Sequence, residues 1–409
     1  MDQEILLYII IIIVALDYLL DQLLDHLNHK SVKAELPDEV ADFYDADKYK
    51  QSLEYQKVQG SFSFITSAFS FCLSLGMIYF GLFGWLNSIL SPYLTNEIAL
   101  ALAYFGVLYV LSDLLNTPFQ LYSTFVIEEK FGFNKTTYKT FFLDKVKGYL
   151  LGLILGILLI GSLLFMIIEI GSNFWIYFWI IAGVFILFIN MFYTTLILPL
   201  FNKLTPLEDG DLKQAIEAYS KSVSFPLTNI FVIDGSKRSK KANAFFSGIG
   251  KKKKIVLYDT LINNHTVEEL VAVLAHEVGH FKKKHIVQGF IVSIAQIGLM
   301  LFVMSFLIFN ENLSLALGAE QLAIHVNLIA FTILYSPVSK VFGILSNVIS
   351  RKNEFEADDY AATTYNSVPL KQALKKLSVD NLSNLYPHPA YVFFNYSHPP
   401  LLKRLEAMN

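Results

Sequence analysis

Long apolar runs separated by polar stretches set the pattern of this chain. Seven of them, residues 5–24, 61–90, 98–112, 148–168, 174–201, 286–309 and 322–341, carry few or no charges. Their lengths lie near or above the roughly 20 residues that a helix needs to cross a bilayer. Seven transmembrane helices are therefore expected. The run 98–112 is the weakest, because Asp113 closes it early. The first run ends in a stripe of Asp17, Asp21 and Asp25, which a watery interior or the membrane interface would explain without ion transport. Residues 1–4, Met-Asp-Gln-Glu, lack the basic start of a signal peptide, so the first run is read as a retained span.

Two stretches outside the spans, 202–285 and 342–409, are long enough to be structured. In the first, Leu212, Ile216 and Tyr219 recur at helical spacing over 211–222, and 229–234 and 254–257 are short β-rich runs, together predicting a helix and a small sheet. Lys251–254 reads as a solvated turn or strand entry. The expected division is 1–201 (spans one to five with their loops), 202–285 (a structured cytoplasmic segment), 286–341 (spans six and seven) and 342–409 (a carboxyl-terminal segment). No repeat or low-complexity linker separates these parts, so they are expected to pack as one body.

Composition agrees with a membrane protein: 54% of the 409 residues are hydrophobic and 15% aromatic, with a mean hydropathy of +0.47. A net charge of −3 gives no basis for a nucleic-acid partner. The single Cys72 has no disulfide partner within the chain and reads as a small buried hydrophobe. Placement of charge sets orientation. The connections 26–60, 113–147 and 202–285 hold five, five and fourteen Lys and Arg, the tail after 341 holds seven, and the segments 91–97, 169–173 and 310–321 hold none. Positive loops stay in the cytoplasm, so the amino terminus is expected outside, with the carboxyl terminus and both structured stretches inside.

The chemistry centres on His276-Glu277-Val278-Gly279-His280. Thr266 and Glu269 have capping-box spacing, and Leu270, Val273, Leu274 and Val278 give the helix that follows its apolar face. On that helix His276 and His280 project from one face and can share one ion, expected to be a single Zn²⁺, while Glu277 can act as general base for an attacking water. Gly279 costs about 1 kcal/mol relative to Ala in a helix, which a close approach of backbone or substrate would explain. A catalytic zinc needs a third protein ligand. His285 lies roughly 140° around a continued helix from His280 and is a poor candidate. The ligand must come from afar, and 350–359 reads as helical with Glu354 and Asp358 on one face.

These residues resemble the integral-membrane CAAX prenyl protease family. The resemblance extends over 125–136, 199–203, Thr205-Pro-Leu207, 234–238, Asn243-Ala244, 254–260, Glu354–Asp358 and 398–404, most of residues 120–409. It implies an α-helical polytopic fold in which seven helices enclose a chamber, with a small α+β zinc protease part on the cytoplasmic side. It implies Glu354 as the third zinc ligand, Asp358 as orienting residue or proton donor, and His398 and Arg404 facing the scissile carbonyl. It also implies cleavage near the carboxyl terminus of a prenylated peptide, with membrane lipid around the protein. The substrate is expected to add as a strand beside 254–257 or the Asn243-Ala244 edge. Ala242 stands where a serine would be expected. Of the remaining histidines, His325 is expected to be structural, and His26, His29, His265, His285 and His388 to lie on loops or the surface. Two rival readings share the site: a quality-control protease without lipid requirement, and a transporter or channel with an incidental metal. The second predicts charged pairs within several spans, and the spans after the first are nearly free of charge.

Overall fold

The computed structural model describes residues 2–247 and 253–408. The apolar runs fold as helices: α1 (Gln3–Ser31), α2 (Ala46–Tyr79), α3 (Leu82–Leu90), α4 (Glu97–Tyr122), α5 (Tyr138–Ile170), α6 (Phe174–Phe192) and α7 (Leu198–Phe201). Three of the long helices start where a side chain replaces a missing backbone partner: Asp45 for α2, accepting from the Lys48 amide at 2.6 Å, Asn96 for α4, accepting from the Ala99 amide at 2.9 Å, and Thr137 for α5, accepting from the Thr140 amide at 3.2 Å. Over the described residues, six helical runs are long and apolar enough to cross a membrane. Between 6% and 22% of their most apolar windows is buried by protein. Their side chains thus face outward or into open space rather than a packed core, which is the arrangement for a lipid solvent.

Hydropathy alone missed two features of these runs. The run 61–90 is broken after α2, because Gly81 adopts φ 62° and the chain turns into the short α3. Gly84 lies so close to the Gly318 backbone that a Cβ there would stand 1.9 Å from the Gly318 carbonyl carbon. The run 98–112 does not end at Asp113. The α4 helix continues to Tyr122 because Asp113 is neutralised by Lys145 of α5 at 2.6 Å and accepts a short hydrogen bond from the Tyr149 hydroxyl. The boundary expected between the runs 148–168 and 174–201 holds: 138–201 is one helical stretch of 64 residues, roughly 100 Å if straight and so far longer than a bilayer core. A 3₁₀ turn at Gly171–Asn173, with Gly171 at φ 66°, divides it, and α5 packs against α6.

After α7 the chain builds the α+β part: β1 (Leu204–Pro206), α8 (Asp211–Ser222), β2 (Leu227–Ile233), β3 (Ala244–Ser247), β4 (Lys253–Tyr258), α9 (Asp259–Asn264) and α10 (Val267–Lys282). The expected helix and two strands are α8, β2 and β4, and β1 and β3 are additional. Strand order is β1-β2-β4-β3. The parallel pair β2–β4 sets Ile230 opposite Ile255, and the antiparallel pair β3–β4 sets Ala244 opposite Leu257. Ile216, Ile255, Leu257, Leu270, Leu274 and Val278 pack into one core that fixes α10 against the sheet. Of the lysine run, Lys253 opens β4, and Lys251 and Lys252 lie outside the described residues.

The last elements are α11 (His285–Leu307), α12 (Glu311–Ala316), α13 (Ile324–Ala361), α14 (Ser367–Asp380), α15 (Pro389–Asn395) and α16 (Leu401–Ala407). α13 runs unbroken for 38 residues across the expected boundary at 341, joining a membrane-length segment to the site. Its Lys340 meets Asp17 at 3.2 Å and Asp21 at 3.0 Å, and Ser336 donates to Asp17 at 2.7 Å, so two members of the acidic stripe tie α1 to α13. Cys72 is exposed on α2 rather than buried, since an apolar run in lipid need not be a packed one. His325 is structural: Nε2 lies 2.8 Å from the Asn87 side-chain oxygen, and its ring meets the Tyr104 ring at a tilt, centroids 4.6 Å apart.

Candidate metal centre

The capping box read from the sequence is formed. Thr266 Oγ1 accepts from the Glu269 amide at 3.3 Å, and the Glu269 carboxylate accepts from the Thr266 amide at 3.0 Å. One turn apart on α10, His276 and His280 bring their Nε2 atoms to 3.1 Å. α13 crosses α10 at Gly279, where an added Cβ would lie 3.0 Å from the Ala357 Cα and 3.1 Å from the Ala357 carbonyl oxygen. The glycine is what lets the two helices meet. That contact places Glu354 Oε2 3.5 Å from His276 Nε2 and Oε1 3.3 Å from His280 Nε2.

The three side chains have ligand atoms within 4.8 Å of one another. Glu354 Oε2 is buried and has no hydrogen-bond partner. The Glu354 carboxylate faces an imidazole nitrogen on each oxygen, and its buried Oε2, with Arg404 Nη1 no nearer than 3.5 Å, lacks a close partner that a metal ion would supply, while two His with one Glu is a donor set of catalytic zinc sites. The residues fit a metal ion. Burial alone would raise the Glu354 carboxyl, but the His280 hydrogen bond and the nearby His276 and Arg404 outweigh it and hold it at about 2.

Behind the ligands, Asp358 is 1% exposed. It accepts from Arg404 Nε at 2.8 Å and Nη2 at 2.6 Å, and it lies 2.8 Å from His276 Nδ1. Its carboxyl, which burial would raise, is instead held at about 2 by the bonds from Arg404 and His276. Arg404 departs from expectation. Its side chain projects from α16 into the interior, two of its three nitrogens are spent on Asp358, and Nη1 is 3.5 Å from Glu354. A guanidinium so committed is not presented to a scissile carbonyl. His398, by contrast, is 64% exposed on its side chain, with Nε2 3.4 Å from Glu354 Oε1 and Nδ1 2.9 Å from Ser397 Oγ.

Glu277 is half-buried, and burial pushes its carboxyl up, only partly offset by His276 and His280. It lines a cleft of about 450 Å³ with Phe245, His280, His285, Gly289 and Val292. At the cleft's β side, Asn243 is exposed and its carbonyl accepts from the Tyr258 amide at 3.1 Å, leading into β3 at Ala244. β4 is flanked on both sides by β2 and β3, so no further strand can add to it. Among the described residues, β3 is the sheet edge next to the site. Ala242, in the place of the expected serine, is buried.

Of the histidines expected on loops or the surface, His265 does lie on a loop though it is buried, and His285 is on neither. His265 is buried, with Nδ1 3.0 Å from the Leu261 carbonyl. His285 is buried with Nδ1 3.0 Å from His280 Nδ1, because α10 stops at Lys282 and the turn reverses at Lys284, φ 62°. The angular argument had continued a helix that ends. The run 125–136, which no motif physics explained, also gains a role. A π-helical turn at Ser123–Glu128 presents Glu128 to Tyr55 at 2.7 Å and to Lys241 at 3.0 Å, tying α2 to the chain just before β3.

A protein whose membrane-length helices carry a His-Glu-x-x-His helix and a distant glutamate is an integral-membrane metalloprotease in class. Residues 25–203 match the family profile "CAAX prenyl protease N-terminal, five membrane helices", and residues 206–409 match "Peptidase family M48". The chain is 36% identical over 401 residues to CAAX prenyl protease 1 homolog of Oryza sativa, covering 96% of this chain and 94% of that protein. It is 34% identical to CAAX prenyl protease 1 of Saccharomyces cerevisiae over 410 residues, 93% and 90% of the two chains. The crystal structure of S. mikatae Ste24p superposes with a TM-score of 0.94 at 31% identity, covering 99% of each chain. This chain belongs to peptidase family M48, in its CAAX prenyl protease branch.

Proposed function

We propose that this protein is a zinc endopeptidase that cuts near the carboxyl terminus of prenylated peptides. The observation that carries the reading is the buried His276–His280–Glu354 set with its unsatisfied Glu354 oxygen, opening on a cleft lined by Glu277. The names of the relatives, CAAX prenyl proteases, supply the substrate class. A zinc ion in this set supplies Lewis acidity, which polarises a carbonyl and makes a water more acidic.

The chain's own groups divide the remaining work. Glu277 takes a proton from the attacking water as its oxygen bonds to the scissile carbon, then returns that proton to the leaving nitrogen as the C–N bond breaks. His398, exposed at the mouth, donates to the carbonyl oxygen as negative charge develops there, a role whose loss costs about 10²–10³ in kcat. Asp358 is an anion committed to Arg404 and His276. It has no proton to donate, so its role is to hold His276 with Nδ1 protonated and Nε2 free for the ion. Arg404 acts one step further out by fixing Asp358. The substrate adds as a strand to β3 beside Asn243 and Ala244, where backbone pairing suits many sequences.

The membrane arrangement belongs to the same reading. Counting the two halves of the 64-residue stretch as separate passes gives seven spans, enclosing a chamber whose apolar wall takes the prenyl chain. The amino terminus is outside and the metal site cytoplasmic. The family profiles meet at residues 203–206, which supports a membrane part to 201 followed by the protease segment. No nucleic acid takes part. Kinetics on matched peptides with and without a farnesyl group test the substrate class. At about 0.8 kcal/mol per buried methylene, lipidation is expected to raise kcat/KM by at least an order of magnitude. Equal values would leave a protease without lipid preference.

A further inference from the structure

His285 is buried beside the metal site, yet it is no ligand. Its Nδ1 faces His280 Nδ1 at 3.0 Å, on the side of the His280 ring away from the His276 Nε2 that His280 Nε2 meets at 3.1 Å. Its other nitrogen, Nε2, lies 3.3 Å from Glu356 Oε2. A hydrogen bond between two Nδ1 atoms needs one protonated partner and one bare one. If His280 offers Nε2 to an ion, its proton must sit on Nδ1, so His280 is the donor and His285 the acceptor. The His285 proton then sits on Nε2 and is donated to Glu356. One direction satisfies all three groups: His280 to His285 to Glu356.

We propose that His285 is the positioning residue that fixes the tautomer and ring angle of His280, as Asp358 does for His276, with Glu356 anchoring it from α13. The backbone is shaped for this contact. The chain leaves α10 at Lys282, passes through Lys284 in the left-handed region that non-glycine residues seldom adopt, and returns His285 under His280 at the start of α11. The two ligand histidines thus have different supports. His276 leans on a carboxylate, and His280 leans on a neutral imidazole that relays to a carboxylate. Both supports end on α13, the helix that also delivers Glu354, so the α10–α13 contact fixes the ligands together with their backing.

The inference rests on the metal reading, and the experiment separates the two. The full-length protein is stripped of metal, and its Zn²⁺ affinity is measured by chelator competition for the parent, His285→Leu, His285→Gln and Glu356→Gln, with thermal unfolding of each metal-free form as the fold control. His285→Leu is expected to bind zinc about 10–100-fold more weakly, the usual effect of losing such an outer partner. His285→Gln, whose amide oxygen can still accept, is expected to recover most of that loss, and Glu356→Gln to show a smaller one. Affinity of His285→Leu within about two-fold of the parent would overturn the inference. Should His285→Leu unfold before it can be measured, an unchanged affinity in Glu356→Gln together with His285→Gln as weak as a misfolded protein would do the same. A parent that binds no zinc would instead overturn the metal reading itself.

Discussion

Replacing Gly279 by alanine tests whether the α10–α13 crossing sets the metal geometry. The added Cβ would lie 3.0 Å from the Ala357 Cα and 3.1 Å from both the Ala357 carbonyl oxygen and the Tyr360 Cβ. Two of these three atoms are backbone, so the contact is relieved by moving α13 by a few tenths of an ångström. Zinc sites tolerate about ±0.2 Å in ligand distance. The shift exceeds that tolerance and acts on Glu354, which sits just under one turn before Ala357. In energy, alanine recovers about 1 kcal/mol of helix propensity, whereas overpacking costs about 1–3 kcal/mol, a net loss of about 0–2 kcal/mol. Gly279→Ala is therefore expected to fold, to bind zinc about tenfold more weakly or worse, and to lose kcat/KM in parallel. Gly343→Ala, on α13 itself with nothing within 4 Å of the new Cβ, serves as the control and should keep the parent's zinc affinity. Chelator competition and peptide kinetics on the two variants give the answer. Parental affinity and turnover in Gly279→Ala, with unfolding shifted upward, would refute the reasoning.

Two further predictions concern the buried ion pair and the topology. Removing one partner from the Arg404–Asp358 pair leaves an uncompensated buried charge. Arg404→Ala should thus destabilise the metal-free protein by about 3–5 kcal/mol in denaturant unfolding, and adding Asp358→Ala should restore part of that loss; additive losses would contradict the coupling. In a Cys72→Ser background, needed because Cys72 is exposed, a cysteine placed at Leu315 should label from outside intact cells and one at Lys282 only after permeabilisation, and the reverse pattern would invert the proposed orientation.

How legible the molecule was depends on the range of the signal. His276 and His280 could be read because a helix places i and i+4 together, and Thr266 with Glu269 announced that helix. Gly279 was readable as a close approach, though not as an approach of α13. Glu354 came only with the family resemblance, since it lies 74 positions and two membrane-length runs beyond His280 in sequence. His285 was rightly set aside as a ligand, but its contact with His280 was missed by a helical ruler extended past Lys282, because nothing in three consecutive lysines marks the third as left-handed. The break at Gly81 is a backbone conformation, to which hydropathy is blind. β1 and β3 escaped because strands of three and four residues are too short for an alternating pattern. Arg404 was placed toward the substrate because charge in a sequence says nothing of which carboxylate will claim it in the fold.

The central claim is that His276, His280 and Glu354 hold the ion while Glu277 moves the proton, and paired metal content and turnover test it most directly. Purified Glu277→Gln protein is expected to retain one zinc per chain, as the parent should, while losing peptide hydrolysis by several orders of magnitude. His276→Ala and Glu354→Ala are expected to lose both. Stoichiometric zinc and undiminished turnover in His276→Ala, or full activity in Glu277→Gln, would contradict the account.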